Sequence, residues 1–410
     1  MRNGAKARGA RGDPWSGLSA LVSEALEGEL TVLGLISGTS ADGVDAALVR
    51  WERGTPAFLG GRTFPYPVDL REALLEAPEL SLRDLAVLDR RVAEVFAEAA
   101  AECIRALGER PDLVASHGQT VLHPPGEAST WQIGDPDLLA DRLGLPVVAD
   151  FRRADRAAGG EGAPLVPLAD LDLFRGLGLP LWILNLGGIA NLTYADAGGS
   201  CLASDLGPAN ALLDLACRMR DPEGPGYDRD GRLAGRGEAV PGFVDAFLAH
   251  PFFARGIPKS AGREEFGAAF LAGCEDAAGG LSLPDLCASI CRACAAAVAR
   301  GLRLFPPPEG ETTIWVAGGG LRHPRLMAEL RRGVPAFLFR SLEEGGFDPD
   351  LREAACFAAM GRRALLGWPG SLPGTTGAPV PLRLGRWSFP PRIVTREAAG
   401  KVRPSSPESR

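Results

Sequence analysis

Two stretches far apart in the chain share one plan. LGLISGTSADGVDAALV, from Leu33, reads as strand, Gly/Ser/Thr turn, strand; LWILNLGGIANLTYAD, from Leu181, reads as strand, Gly-Gly turn, strand. Each is followed by a further strand-like stretch, FLGGRTF (58–64) and CLASD (201–205). A third glycine-rich turn, Val316-Ala317-Gly318-Gly319-Gly320, closes a strand near the C-terminus. Glycine lets main-chain N–H groups crowd around an anion, and Ser and Thr hydroxyls add donors without bulk. Three such turns in two similarly laid-out halves point to a nucleotide held between related lobes. The pattern is neither a GxxxxGK[ST] phosphate loop nor a GxGxxG dinucleotide fingerprint.

Around these turns strands alternate with helices, which makes the fold class α/β. Strands are expected at 30–36, 45–51, 112–116, 181–187 and 312–318. Helical periodicity runs over 85–107, 209–219 and about 285–304. The length of 410 residues allows two or three domains of roughly 150 residues each. With 46% hydrophobic and 23% charged residues the chain has material for sizeable cores and is not a disordered polymer. Its net charge, 44 − 51 = −7, argues against generic nucleic-acid binding. No apolar run approaches the ~20 residues that span a bilayer, and no apolar h-region follows the basic start, so neither a membrane anchor nor a secretory signal is expected. Eight cysteines are too few for a disulfide scaffold. Cys287, Cys291 and Cys294 share one helix face, without a fourth ligand for a metal. Free thiols in this number suit a reducing, cytoplasmic compartment.

Several residues have side chains suited to chemistry. Ser37-Gly38-Thr39-Ser40-Ala41-Asp42-Gly43 offers three hydroxyls and a carboxylate, Asp42, suited to Mg²⁺. Asp205 ends an apolar strand, where α/β enzymes place reactive groups; capping the following helix is the competing account. His117, in SHGQT, ends a strand beside a glycine that leaves room for a ligand; a structural histidine is the alternative, for it and for His123. Arg152, in DFRRAD, presents a fork for a substrate carboxylate or joins a surface salt-bridge cluster. Lys259 is one of only three lysines in the chain. Glu353 opens a helix, lining a cleft or favouring the helix N-terminus.

As an ordered set these segments resemble the anhydro-N-acetylmuramic acid kinase family: GLISGTSADGVD, SHGQTVLHPP, TWQIGDPDLLA, ADFRRADRAAGGEGAPLVP, LNLGGIANLT, SDLGPANALLD, YDRDGRLAGRG, PKSAGREEF, VAGGGLRHPRLM, REAACFAAM and TTGA. They run in family order over about residues 31–380. The resemblance implies two ribonuclease-H-like domains of the acetate and sugar kinase, heat-shock and actin fold, with an interdomain cleft. The boundaries expected are 1–29 for an N-terminal extension, 30–155 and 156–385 for the two domains, with the helix at 351–368 packing back on the first, and 386–410 for a tail.

The resemblance also implies a reaction: ATP- and Mg²⁺-dependent opening of the 1,6-anhydro bridge by water, with phosphorylation at O6, in peptidoglycan recycling. It makes Asp205 the general base. Ser37, Gly38, Thr39, Ser40, Asp42 and Gly43 become the first phosphate loop, with Asp42 toward the metal. Gly187, Gly188 and Asn191 become the second loop, and Gly318, Gly319 and Gly320 the adenosine segment. His117, Gln119, Arg152 and Glu353 join Asp205 on the sugar, and family precedent implies a homodimer. Other readings are a kinase of the same fold with another sugar or carboxylate, or a nucleotide-dependent sensor. Three positions depart from the family pattern: Leu206 stands beside the base where DTGP has a hydroxyl, Glu161 replaces Gln, and His323 replaces Asn.

Overall fold

Leu30–Ser37 is buried along nearly its whole length, as expected of a strand covered on both faces. In the computed structural model it is the centre of the first of two sheets. The structure describes residues 16–391 apart from 39, 125, 126, 128, 262–264 and 309.

The chain begins with α1 (Ser16–Leu26), β1 (Leu30–Ser37), β2 (Gly43–Glu52), β3 (Thr55–Pro65), α2 (Val68–Leu75), α3 (Leu82–Leu107), β4 (Leu113–Leu122) and β5 (Trp131–Ile133). It continues through α4 (Pro136–Leu143), β6 (Val147–Ala149), α5 (Arg153–Ala157) and α6 (Pro167–Phe174). The second half holds β7 (Leu181–Leu186), β8 (Ile189–Ala195), β9 (Cys201–Pro208), α7 (Asn210–Arg220), α8 (Pro241–Leu248), α9 (Ala268–Ala277) and α10 (Leu283–Leu302). It ends with β10 (Thr312–Ala317), α11 (Pro324–Gly333), β11 (Phe337–Ser341), α12 (Arg352–Leu366), α13 (Pro373–Thr376) and β12 (Arg386–Ser388).

The two sheets repeat one topology. The first runs β12-β6-β4-β1-β2-β3, with β5 on β4; the second runs β11-β10-β7-β8-β9. In each, a three-stranded meander is joined by parallel strands added beside its first strand. This is the ribonuclease-H-like arrangement, present twice. The long helix that leads into the first added parallel strand, α3 before β4 and α10 before β10, also starts alike in both halves. Ser81 caps α3 by accepting from Asp84 N–H, and Ser282 caps α10 by accepting from Asp285 N–H. Because of these caps both helices begin a little before their apolar periodicity does.

The last helix of each half crosses to the other sheet. α6 follows β6 but lies on β7, β8 and β9; α12 follows β11 but lies on β1, β2 and β4. A Cβ at Gly34 of β1 would sit 1.9 Å from the carbonyl of Ala354, so only glycine admits α12 this close. The layers are therefore α2–α4, sheet one, the α6/α12 pair, sheet two, and α7–α11. The middle core joins Val32, Ile36 and Ala115 of one sheet to Ile183 and Trp315 of the other through Leu168, Phe174 and Phe357. Cys287, Cys291 and Cys294 lie in the outer core of the second half.

Three local features differ from the expectation. β4 runs on to Leu122, so His117 and Gln119 lie inside the strand rather than at its end. Arg386–Ser388, the start of the stretch read as a tail, pairs antiparallel with β6. α1, within the stretch read as an extension, packs on α12 and β1. Among the described residues no helix is long and apolar enough to cross a membrane.

Candidate active site

All the glycine turns lie at carboxyl ends of strands, where open α/β sheets bind ligands. Ser37, the last residue of β1, donates from Oγ to Oε1 of Gln119 at 2.5 Å; Nε2 of Gln119 donates to the carbonyl of Gly38 at 3.1 Å. Both ends of the Gln119 amide thus brace the first turn, since β4 places Gln119 opposite Ser37. Ala41 N–H closes the turn on the Gly38 carbonyl at 3.1 Å. A Cβ at Gly38 would meet only Ser40 Oγ, at 3.7 Å, so the protein itself leaves that space open. Gly43 differs: its Cβ would lie 2.4 Å from the Phe64 carbonyl, so pairing with β3 accounts for this glycine. Thr39 lies outside the described residues.

An acidic wall stands beside this turn. Asp42 is exposed, and Ser40 is partly buried. Asp45 accepts from Thr63 Oγ1 at 2.5 Å and is pushed up to about 6, chiefly by burial, with the charges of Glu353, Asp42 and Asp350 adding to it. Tyr66 is buried next to the turn, its hydroxyl without a partner, and burial raises its pKa.

The other two turns belong to the second sheet and touch each other. The carbonyls of Gly187 and Gly188 accept from Asn210 N–H at 3.1 Å and Ala209 N–H at 2.8 Å. Asn210 Nδ2 donates to the Leu186 carbonyl at 3.0 Å. Gly318 has φ 81°, and a Cβ there would lie 2.7 Å from Asn185 Oδ1; Gly320 packs on Leu186 and Gly319 faces Asn210. Asn185 and Asn210 thus lie packed between the second and third turns. Neither stood out in the sequence, although an Asn inside an apolar strand is unusual enough to have been a signal. Across the molecule, Arg322 of the third turn forms an ion pair with Asp350, which lies just ahead of α12 and within the field of Asp45.

Asp205 occupies the inner face of β9. Cys201, on the same face, belongs to the core between the sheets; Leu202 and Leu206 face the outer core. Asn191 of β8 is its register partner, and a bulge follows, with Ala190 opposite Gly207. Asp205 N–H donates to the Lys259 carbonyl at 3.0 Å, and Oδ2 accepts from Ala261 N–H at 2.8 Å. Burial pushes the carboxyl up to about 7; Glu265 adds to this, and the Ala261 N–H and Lys259 oppose it. Helix α7 has Ala209 at its N-cap, with no side-chain cap, so Asp205 does not cap it.

His117, Arg152 and Glu353 come together on the first half. His117 Nδ1 donates to the Gly118 carbonyl at 3.0 Å, and Nε2 accepts from Arg152 Nε at 2.9 Å. These partners require a neutral ring with its proton on Nδ1. Burial, then the Arg152 charge, hold its pKa well below the ordinary histidine value. Arg152 Nη1 donates to the Gly162 carbonyl at 2.8 Å. Burial lowers the guanidinium to about 10, against the opposing charges of Glu353 and Asp155. His117 also packs on the ring of Phe357, one turn beyond Glu353 on α12, at 4.7 Å. His123 donates to or accepts from Thr130 Oγ1 at 3.0 Å, and burial lowers it to about 4. Behind Arg152 stands Asp155, fully buried. It accepts from Ser371 Oγ at 2.6 Å, Thr376 Oγ1 at 2.7 Å and Gly162 N–H at 2.7 Å. It therefore fixes the Gly162 carbonyl on which Arg152 rests.

The family model described as anhydro-N-acetylmuramic acid kinase matches residues 30–390. An anhydro-N-acetylmuramic acid kinase of Xanthomonas campestris pv. campestris is 41% identical over 367 residues, covering 86% of this chain and 96% of the relative. One of Acidiphilium cryptum is 42% identical, covering 86% and 97%. One of Paramagnetospirillum magneticum is 42% identical, covering 88% and 100%. The chain belongs to the anhydro-N-acetylmuramic acid kinase family.

Against the pattern of the anhydro-N-acetylmuramic acid kinases, the three departures have structural explanations. Leu206, expected beside the base in the cleft, instead packs on Gly301 of α10. Alternation along β9 puts it, like Leu202, on the face opposite Asp205, so it takes nothing from the cleft. Glu161 pairs with Arg156 at 3.0 Å. His323 caps α11, its Nδ1 accepting from Leu326 N–H at 3.2 Å, while Nε2 donates to Asp228 Oδ2 at 3.2 Å. An Asn offers the same pair, one acceptor and one donor.

Proposed function

We propose that this chain hydrolyses the 1,6-anhydro bridge of anhydro-N-acetylmuramic acid and phosphorylates O6, giving N-acetylmuramic acid 6-phosphate for cell-wall sugar recycling. The observation that carries the reading is Asp205. It is a largely desolvated carboxyl in the last half of β9, aimed by one backbone N–H and pushed up to about 7, which suits a general base at neutral pH. In this reading Asp205 takes a proton from the water that attacks C1. The C1–O6 bond breaks, the electron pair left on O6 attacks the γ-phosphorus of ATP, and the bond from that phosphorus to the β–γ bridging oxygen breaks, so that ADP leaves.

The first turn suits phosphates: the space at Gly38 is free, and the Tyr66 hydroxyl beside it lacks a partner. Ser40 and the turn N–H groups would hold the phosphates with Thr39, while Ser37, buried with its hydroxyl on Gln119, would brace the turn from below. Gly187, Gly188 and Gly318–Gly320 would enclose the rest of the nucleotide. Asp42 supplies the hard oxygen donor that Mg²⁺ prefers. Among the described residues no cluster of three His, Cys, Asp or Glu forms a metal cage, so Asp42 would share the ion with phosphate and water. When bound, Mg²⁺ neutralises charge on the phosphates. Arg152, with Nε and Nη1 engaged within the protein, keeps its remaining guanidinium edge for the sugar, next to Glu353 and His117. Gln119 contributes through the phosphate turn it braces.

Eight free cysteines favour a cytoplasmic setting, and we carry over the homodimer from the family. The test incubates protein, Mg-ATP and 1,6-anhydro-N-acetylmuramic acid, with glucose and acetate as alternative acceptors. Mass spectrometry should find N-acetylmuramic acid 6-phosphate and no glucose or acetyl phosphate. ADP formation with glucose alone, or no product from any acceptor, overturns the assignment.

A further inference from the structure

Lys259 is buried in a chain that has only three lysines, yet it forms no ion pair among the described residues. Its Nζ donates to the carbonyls of Phe252 at 3.1 Å and Arg255 at 3.3 Å, and stands 4.4 Å from the centre of the Phe252 ring. It borders a cavity of about 270 Å³ with Leu206, Phe253 and Arg300, on the side of β9 away from Asp205. The ammonium therefore does not reach the cleft, but the backbone of the same residue does. The Lys259 carbonyl accepts from Asp205 N–H at 3.0 Å; Lys259 N–H donates to Ser204 Oγ at 3.1 Å; two residues on, Ala261 N–H donates to Asp205 Oδ2 at 2.8 Å.

We infer that Lys259 is a positioning residue for Asp205: its ammonium staples the 252–261 loop to its own carbonyls, and this holds the Ala261 N–H on the carboxylate. The inference rests on the reading of Asp205 as the base. Removing the ammonium leaves two carbonyls without their donor and loosens the loop. It also removes a positive charge. Both changes disfavour the ionised carboxylate, so the base should ionise at higher pH. The charged groups acting on Asp205 are Lys259 and Glu265, and Glu265 stays.

The test measures kcat and KM against pH for the full-length protein with Mg-ATP and the anhydro sugar. Lys259→Met should lower kcat about tenfold, since small misplacements of a catalytic group have effects of this size or more. The KM for sugar should change less than about twofold, as for an interaction that matters mainly in the transition state. The acid limb of kcat should move to higher pH. Lys259→Arg, which keeps charge and donors, should restore most of kcat. Ser204→Ala changes no charge but frees Lys259 N–H, so it should move the acid limb the same way by a smaller amount. A folded Lys259→Met with the parent's kcat and acid limb overturns the inference. If that variant does not fold, an unchanged Ser204→Ala profile does so. Asp205→Asn runs in parallel: parental turnover there sinks the base assignment itself, whereas an inactive Asp205→Asn beside a normal Lys259→Met sinks only the staple.

Discussion

Arg352 and Asp170 form a salt bridge with side-chain exposures of 1% and 0%, and it joins the two helices that the halves exchange. Arg352 Nε donates to Asp170 Oδ1 at 2.8 Å, and Nη2 donates to Oδ2. Cys356, one turn further along α12, adds a 3.3 Å contact to Oδ1. Asp170 is in α6 on sheet two; Arg352 is in α12 on sheet one. The pair fixes how the two helices, and with them the two sheets, meet.

Breaking this pair should be costly. Arg352→Met leaves Asp170 buried without its countercharge, an effect of about 3–5 kcal/mol. The double variant Arg352→Met/Asp170→Leu should recover much of that loss, because apolar replacements of a buried pair are often tolerated. Urea denaturation of the three proteins checks this; a single variant within about 1 kcal/mol of the parent contradicts it.

Gly38 and Gly43 should separate binding from folding. Gly38→Val projects into open space, so the fold should survive while ATP affinity drops. Gly43→Ala drives a methyl into the Phe64 carbonyl, so it should lower the melting temperature. Calorimetric titration with ATP and thermal melts give the two readouts. Unchanged ATP affinity in folded Gly38→Val refutes the phosphate-loop assignment.

Asp205→Asn keeps the shape and loses the base. Turnover should fall roughly 10²–10⁴-fold, with a much smaller change in sugar affinity. For the parent, kcat should rise with pH through about 7 as the carboxyl ionises. In ¹⁸O water the label should enter at C1 and not the phosphate; label in the phosphate ester contradicts the mechanism.

The same carboxyl should cost stability. Its pKa is raised in the folded state, so between its unfolded value and about 7 the folded protein binds more protons than the unfolded chain. Stability of the ligand-free protein should fall as pH rises through that window, in proportion to the proton difference. Asp205→Asn removes that dependence and should melt higher than the parent at pH 8. A lower melting temperature would falsify this account of the burial.

His117 should remain neutral, with its proton on Nδ1, from about pH 6 upward, since its pKa lies well below 6.5. Nitrogen NMR of labelled protein reads the tautomer directly. A ring that titrates at the ordinary value means that the Arg152 contact does not form.

His323→Asn should preserve stability, whereas His323→Ala should cost about 0.5–2 kcal/mol for the lost cap, plus the effect of leaving Asp228 without its donor. Chemical denaturation distinguishes the two variants. Equal losses would mean that the imidazole acts by packing alone.

Local patterns were enough for the two strand–turn–strand units, the Ser81 and Ser282 helices and the segments that carry the family resemblance. Glycine turns, caps and apolar periodicity act within about ten residues, so they can be read along a line. Asp205 was legible as a carboxylate following an apolar strand stretch, although β9 runs three residues past it to Pro208, and His117 as a residue beside a glycine. Of the helix exchange, the return of α12 to the first sheet was expected only through the family resemblance and the crossing of α6 not at all, because the exchange depends on whether Gly34 admits the backbone of α12 some 320 residues later. The outward face of Leu206, by contrast, follows from alternation with Asp205 along one strand, a local pattern that argues against its expected place in the cleft. The partners of Asp205, His117 and Arg152 come from Ala261, Gly118 and Gly162, and their pKa values from burial among elements distant in sequence. Residue types and their order follow from sequence; which hydrogen bonds form, and which charges lose their water, is decided only when the two sheets close on α6 and α12.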